Sequence, residues 1–313
     1  AFFLPAGLAA GGWYLKNWLW TGNPLYPLLF GGRGWDAVQN ALLNDYLYTF
    51  GFGWQTLWRL PLDLYLRHNA FSTITIEMIP PALWLGFFAP LLWRKLPAAA
   101  RLAWAYGGIY FLIWALNAPQ VRFTLPFAPW LLVFAAAVIM SLPRRLEKPL
   151  SVLLAGGMLL FSLFYQVGDF AASQTGAYLS AKISAAQVLS ARFDNFSAHQ
   201  FLFTLPPESR TQLLWDGRDY YCAPRCLPDH LQALAVLLAQ GSPPPQQVAA
   251  TLRQRGITHL LLSLVDVWWF EQYHDPRGLH AQALAYFENV FLPQCAREIY
   301  RDESSRIYEL TCP

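Results

Sequence analysis

The sequence predicts an α-helical multi-pass membrane domain with interfacial helices, followed by a small extracytoplasmic α/β domain. Three observations carry this prediction. Of the 313 residues 55% are hydrophobic and 16% aromatic, while only 13% are charged, about half the charged share of an ordinary soluble domain. Apolar runs approaching the ~20 residues needed to cross a bilayer occur only before residue 168. Charge divides at the same place: residues 1–167 carry 11 Lys and Arg against 5 Asp and Glu, residues 168–313 carry 11 against 14, so +6 and −3 make up the net +3. The expected domains are therefore 1–167 in lipid and 168–313 in water.

The first span is expected at about 1–15, "AFFLPAGLAAGGWYL". It has neither an initiator Met nor a basic leader region, so it reads as a membrane helix cut near its start rather than a signal peptide. The chain is accordingly expected to be the C-terminal part of a longer protein, with an unstated number of spans upstream. Further spans are expected at about 79–93, 98–116, 124–142 and 150–167, the first of them short and carrying Pro90.

Orientation follows from the loops. Arg94, Lys95 and Arg101 flank one connection, and Arg144, Arg145 and Lys148 another. Basic loops stay in the cytoplasm, which sends residues 16–78, residues 117–123 and everything after 167 to the outer side of a plasma (inner) membrane. Cys222, Cys226, Cys295 and Cys312 all fall in that outer, oxidising segment, as disulfide-bonded cysteines should. "QCAREIYRDESSRIYELTC" alternates as two strands about a "DESS" turn, and Cys295 and Cys312 are equidistant from its centre. They are expected to face each other across a hairpin, within disulfide range. Cys222 and Cys226 lie in the short loop "CAPRC" and are expected to pair. A zinc site with Asp229 and His230 is the alternative, although the spacing matches no strong zinc pattern.

In the same outer tail "TQLLW" (211–215) and "ITHLLLS" (257–263) are strand-like. "DHLQALAVLLAQG" and "QQVAATLRQRG" are amphipathic helices stopped by Gly241 and Gly256. No phosphate-binding glycine loop and no serine-nucleophile elbow is present. His199, His259, His274 and His280 are scattered and read as ordinary histidines. The other outer segment, 16–78, is aromatic throughout (Trp18, Trp20, Tyr26, Trp35, Tyr46, Trp54, Trp58). Such rings favour the headgroup zone, so short helices lying on the membrane surface are expected there.

Two motifs complete the reading. "WYLKNWLWTGNPLYPLLF" supplies Lys16, Asn17, Thr21, Gly22, Asn23, Pro24, Tyr26 and Pro27, and "QVRFTLPFAPWLLVFAAA" supplies Arg122, Phe123, Leu125, Pro126 and Pro129. Over residues 13 to about 140 these resemble the C-terminal half of the C-type multi-pass membrane glycosyltransferases, the group that includes protein O-mannosyltransferases and lipid A aminoarabinose transferases. The resemblance implies transfer of a sugar from a polyprenyl-phosphate donor at the outer membrane face, with membrane lipid as surroundings, no nucleic-acid partner, and an acceptor the sequence does not identify. Arg122 and Lys16 become candidate ligands of the donor phosphate, because a guanidinium binds phosphate through two parallel hydrogen bonds and stabilises charge building on a departing phosphate. The plainer role for both, as for Arg33 and Arg59, is to reach lipid headgroups.

The family carries its catalytic acid in the first outer loop, which this chain lacks, so the catalytic residue is expected upstream. Asp36, Asp45, Asp63 and Glu77 are the acids of the outer aromatic segment and candidates for acceptor or metal contacts, against a plain reading as solvated loop residues. No resident metal site is expected, and a divalent-metal requirement is left open. A membrane-anchored binding or structural protein whose outer domain is the working part is the first alternative. A transporter is the second, weakened because the runs at 98–116 and 124–142 place no charge near the bilayer midplane.

Overall fold

A computed structural model describes residues 3–24, 37–48, 54–66, 81–117, 121, 127–229 and 232–312. The chain is mostly helical, with a small five-stranded mixed sheet near its C-terminus. Two compact units form, one from residues 1–46 with 194–313 and the other from 47–193. The division expected at 167 was one of chemistry, lipid from water, whereas these units are defined by contact.

Among its described residues the unit 47–193 contains helices and turns and no strand. Among the described residues two helices are long and apolar enough to cross a membrane, Ala98–Leu116 and Arg144–Ala172. The second has 29 residues and none of them is buried, and Val152, Leu153, Leu160, Phe164 and Val167 stand more than 60% exposed. Leaving that much hydrocarbon in water would be heavily unfavourable, so this helix calls for an apolar surrounding. At 1.5 Å per residue it is about 43 Å long, more than the ~30 Å hydrocarbon core.

Two expected spans come out shorter. Where 79–93 was expected, Pro81–Leu92 forms a 12-residue 3₁₀ helix with Pro90 inside it. Proline removes a donor from the helical ladder, which suits the tighter, looser-bonded form. Where 124–142 was expected, the described helix is Ala128–Met140, 13 residues beginning with Pro129 in its first turn; residues 124–126 lie outside the described residues. The 3₁₀ helix approaches this helix so closely that a Cβ on Gly86 would meet the backbone carbonyl of Leu131. The indole of Trp104 donates to the Gly86 carbonyl at 3.2 Å, and Trp84, Phe87, Phe111 and Phe127 close the contact edge to face.

The other unit begins with α1 (Phe3–Thr21), longer than the expected 1–15, and α2 (Ala37–Tyr48). Its sheet contains β1 (Thr211–Leu214), β2 (Cys226–Leu227), β3 (His259–Ser263), β4 (Ala296–Arg301) and β5 (Ser305–Leu310) in the order β2-β1-β3-β5-β4. β1 is parallel to β2 and β3, whereas β5 is antiparallel to both β3 and β4. Every residue of β1 and β3 is buried, which explains why "HLLL" runs apolar without alternation: both faces are covered. The helix Pro245–Gln254 fills the expected place with proline at its first position and ends at Gly256, whose φ of +75° needs no Cβ clearance. The helix expected over 229–241 is confined to Leu234–Ala239.

The terminal hairpin forms, with one correction. Tyr300 faces Ile307, but beyond a bulge at Ile299 the register shifts and Ala296 faces Leu310. The amide of Thr311, not Cys312, therefore meets the Cys295 carbonyl, at 2.9 Å. Cys295 and Cys312 are joined all the same, with Cα atoms 4.7 Å apart, because an offset of one residue leaves the two side chains within bridging reach. Cys222 and Cys226 are joined as well, which removes the free thiolates a zinc site would need.

A further feature is the placement of α2. This helix, from the segment expected along the membrane surface, packs Leu42 into the core of the α/β domain in one cluster with Trp215, Phe270 and Phe287. Arg277 donates through Nε to Asp45 at 2.8 Å and through Nη2 to the Ala41 carbonyl.

Candidate functional site

The end of α1 carries the first motif. Lys16 stands three residues after Trp13 and four before Trp20, so all three share one helix face, and its ammonium lies 4.8 Å and 4.5 Å from the two ring centroids. Both indoles are more than 60% exposed, and together they hold a cation at the edge of an apolar helix. The Thr-Gly-Asn-Pro segment then stops the helix. The Thr21 hydroxyl donates back to the Asn17 carbonyl at 2.8 Å, the Asn23 amide donates to that hydroxyl at 3.3 Å, and Gly22 takes a φ of +76° while its amide bonds the Trp18 carbonyl. This is a glycine helix stop, and it buries Asn23.

The remaining sequence candidates separate. Asp45 is buried against Arg277, and Asp63 is paired with Arg59 one turn earlier at 3.5 Å. Arg122, Asp36 and Glu77 lie outside the described residues, as do Tyr26, Pro27 and Phe123 to Pro126. Among the described residues no group of three or more His, Cys, Asp or Glu side chains is placed to hold a metal.

Sequence reasoning missed a buried polar network at the carboxyl ends of β1 and β3, the edge where open α/β sheets usually place their ligand sites. Asp216, fully buried just after β1, accepts at Oδ1 from the backbone amide and Nε of Arg218 (2.9 and 2.8 Å) and at Oδ2 from Asn195 (2.9 Å). His199 Nε2 is 3.2 Å from the same Oδ2, an ion-pair distance without hydrogen-bond alignment. Asn195 also donates to Ser263 at 2.8 Å and accepts from Ser305 at 2.7 Å, Ser263 donates to Asp266 at 2.6 Å, and Arg218 closes the circuit to Asp266 at 2.5 Å. Burial pushes the Asp216 carboxyl up, but His199, Arg218 and Asn195 together outweigh it and hold the group well below the usual carboxylate range. Arg218 is the fixed cation shared by the Asp216 and Asp266 carboxylates, and the network ties Arg218 from the loop after β1, together with Asn195, onto the strand ends at Ser263 and Ser305. The signal in the sequence was the placing of "DGRD" and "SLVD" directly after two apolar strands.

A second relay starts beside it. Trp215 is a buried tryptophan with a left-handed φ of +64°, a conformation that costs a bulky residue energy and needs fixing from outside. Asp229 accepts its backbone amide at 2.9 Å, and its indole Nε1 donates to His280 Nδ1, also at 2.9 Å. With Nδ1 accepting, the His280 proton is on Nε2. Phe270 stacks on the imidazole at 4.6 Å, and burial pushes His280 down to about 4, so it is neutral at pH 7. Compared with protein-family models and with curated proteins, the chain matches none.

Proposed function

We propose that this chain is part of a membrane glycosyltransferase that passes a sugar from a polyprenyl-phosphate donor to an acceptor at the outer face of the plasma membrane. The observation that carries the reading is the Lys16 cation, held between two exposed indoles one turn before the Thr-Gly-Asn-Pro stop. Two membrane-capable helices and two disulfides support a membrane protein with an outer, oxidising side. In the reaction an acceptor hydroxyl attacks the anomeric carbon and the bond from that carbon to the phosphate oxygen breaks. The electron pair stays on polyprenyl phosphate, and the hydroxyl proton passes to a carboxylate that the resemblance places upstream. Lys16 and Arg122 bind the phosphate as its charge rises, an interaction stronger in the transition state than in the ground state.

A membrane-anchored binding protein is the second reading, favoured by the α/β domain's own closed core. Transfer from a lipid-linked sugar donor by the full-length protein, at matched amounts of folded enzyme, separates the two. Arg122→Ala should lose on the order of 2–4 kcal/mol of transition-state stabilisation. Arg122→Lys should lose less, because it keeps the charge without the two-pronged geometry, and Lys16→Ala should also slow transfer. Full transfer by Arg122→Ala and Lys16→Ala would remove both residues from the site, and no transfer by the wild-type protein would remove the transferase reading.

A further inference from the structure

Beside His280 the unit of residues 1–46 and 194–313 contains a cavity of about 220 Å³, bounded on one side by α2 and lined by Gln39, Leu42, Tyr46, Gln232, Phe270 and His280. Four features mark it as a binding site. Its size is roughly that of seven waters of liquid, which suits one sugar-sized ring and not two. None of its lining side chains carries a formal charge at neutral pH, so a buried ionic ligand would find no counter-charge and be disfavoured. Its polar groups, two carboxamides, a phenol and an imidazole, sit among leucine and aromatic surfaces, a pattern that orients a ligand having both C–H faces and hydroxyls. The fourth is preorganisation. Two of the non-glycine residues with left-handed backbones, Trp215 and Gln232, converge on it. Gln232 lines the cavity, while Trp215 spends its indole N–H on His280 Nδ1 and leaves the imidazole to offer Nε2–H as a donor.

We infer that this cavity binds a single neutral pyranose ring, with His280 Nε2–H donating to a ring hydroxyl and the Gln232 carboxamide bonding another. The choice of a sugar rests on the transferase reading; the neutral, ring-sized site rests on the cavity alone.

The test is saturation-transfer NMR on the full chain in detergent micelles, using methyl pyranosides, the matching anionic methyl uronate, and cyclohexylmethanol as a ring without the hydroxyl rim. Neutral pyranosides should give saturable signals, with the uronate and cyclohexylmethanol at least tenfold weaker. Leu43 also lines the cavity from α2, and Leu43→Trp, which fills it, should abolish the signal while intact disulfides and an unchanged melting temperature report folding. If that variant fails to fold, Gln39→Trp fills the cavity from another point of the α2 wall. Uronate or cyclohexylmethanol binding as tightly as the pyranosides, or pyranoside signals that survive the filled cavity, would overturn the site. Pyranoside binding in a protein that transfers no sugar from any polyprenyl-phosphate donor would remove the transferase reading and keep the site. Transfer without pyranoside binding would do the reverse.

Discussion

Asp216 has no solvent contact, and its partners come from three places in the chain: Asn195 and His199, Arg218, and through Arg218 also Asp266. Asp216→Asn leaves Arg218, whose side chain is nearly half exposed, with Asp266 as its counter-charge, and should cost about 1–2 kcal/mol of α/β-domain stability. The pH dependence has a definite sign. Because the native carboxyl is held below its unfolded value, its stabilisation is complete above ~4 and is lost as the pH falls from there toward the native value. Urea unfolding of the wild type should therefore show a loss of stability below pH ~4 that Asp216→Asn lacks, and parallel pH curves for the two proteins would refute the assignment. Asp229 acts in the opposite sense and in another window. Burial pushes it up to about 7 against the amides of Trp215, Ala233 and Leu234, so its contribution declines as the pH rises from ~4 to ~7. The two effects can be told apart by where they fall.

At the scale of elements, α2 is the least expected placement. Its composition, "AVQNALLNDYLY", suits a membrane surface as well as a protein core. Its partners hold it against the α/β core: Leu42 in the core, Tyr46 with its ring 4.7 Å from and tilted to His274, and Arg277 tying the Asp45 carboxylate and the Ala41 carbonyl. Arg277→Ala should loosen α2 while leaving the sheet intact. Amide exchange across Ala37–Tyr48 should quicken about tenfold, equivalent to ~1.4 kcal/mol, a modest value because the guanidinium is half exposed. Exchange in β1 and β3 should not change. Unaltered exchange in α2 would show that its apolar contacts alone hold it. The hairpin makes a related point. Its turn region keeps the register expected from symmetry, and the bulge at Ile299 moves the outer half by one residue, yet the terminal disulfide forms because it tolerates that offset.

For the whole molecule the decisive property is topology. Both membrane-capable helices start at a basic end: Arg94, Lys95 and Arg101 surround the start of Ala98–Asn117, and Arg144, Arg145 and Lys148 begin the helix Arg144–Ala172. On the proposed reading, the positive-inside rule would put both starts in the cytoplasm and the α/β domain, with its two disulfides, outside. That proposed topology would need a return crossing between them, and among the described residues the helix between them, Ala128–Met140, is about 20 Å long. Single cysteines introduced into a background without native thiols test this. One at Gly241 should react with an impermeant maleimide in intact cells, and one at Glu147 should react only after permeabilisation. The opposite pattern would invert the topology and place the α/β domain in a compartment where its disulfides would not persist.

By itself the sequence determined what depends on short stretches: two membrane-capable apolar runs, the strands at 211–214 and 259–263, helix stops at Gly241 and Gly256, the C-terminal hairpin, and which cysteines pair. Each follows from periodicity, run length or a turn residue acting over a few positions. Only the tertiary structure decided the place of α2, the bulge at Ile299, the left-handed Trp215, and the union of Asn195, His199, Asp216, Arg218, Ser263, Asp266 and Ser305 in one network. These depend on partners far apart in the chain, 65 residues from Trp215 to His280, 110 from Asn195 to Ser305 and 232 from Asp45 to Arg277. Local preference carries no information about such pairs, because they are selected by how strands and helices pack once the hydrophobic core has closed.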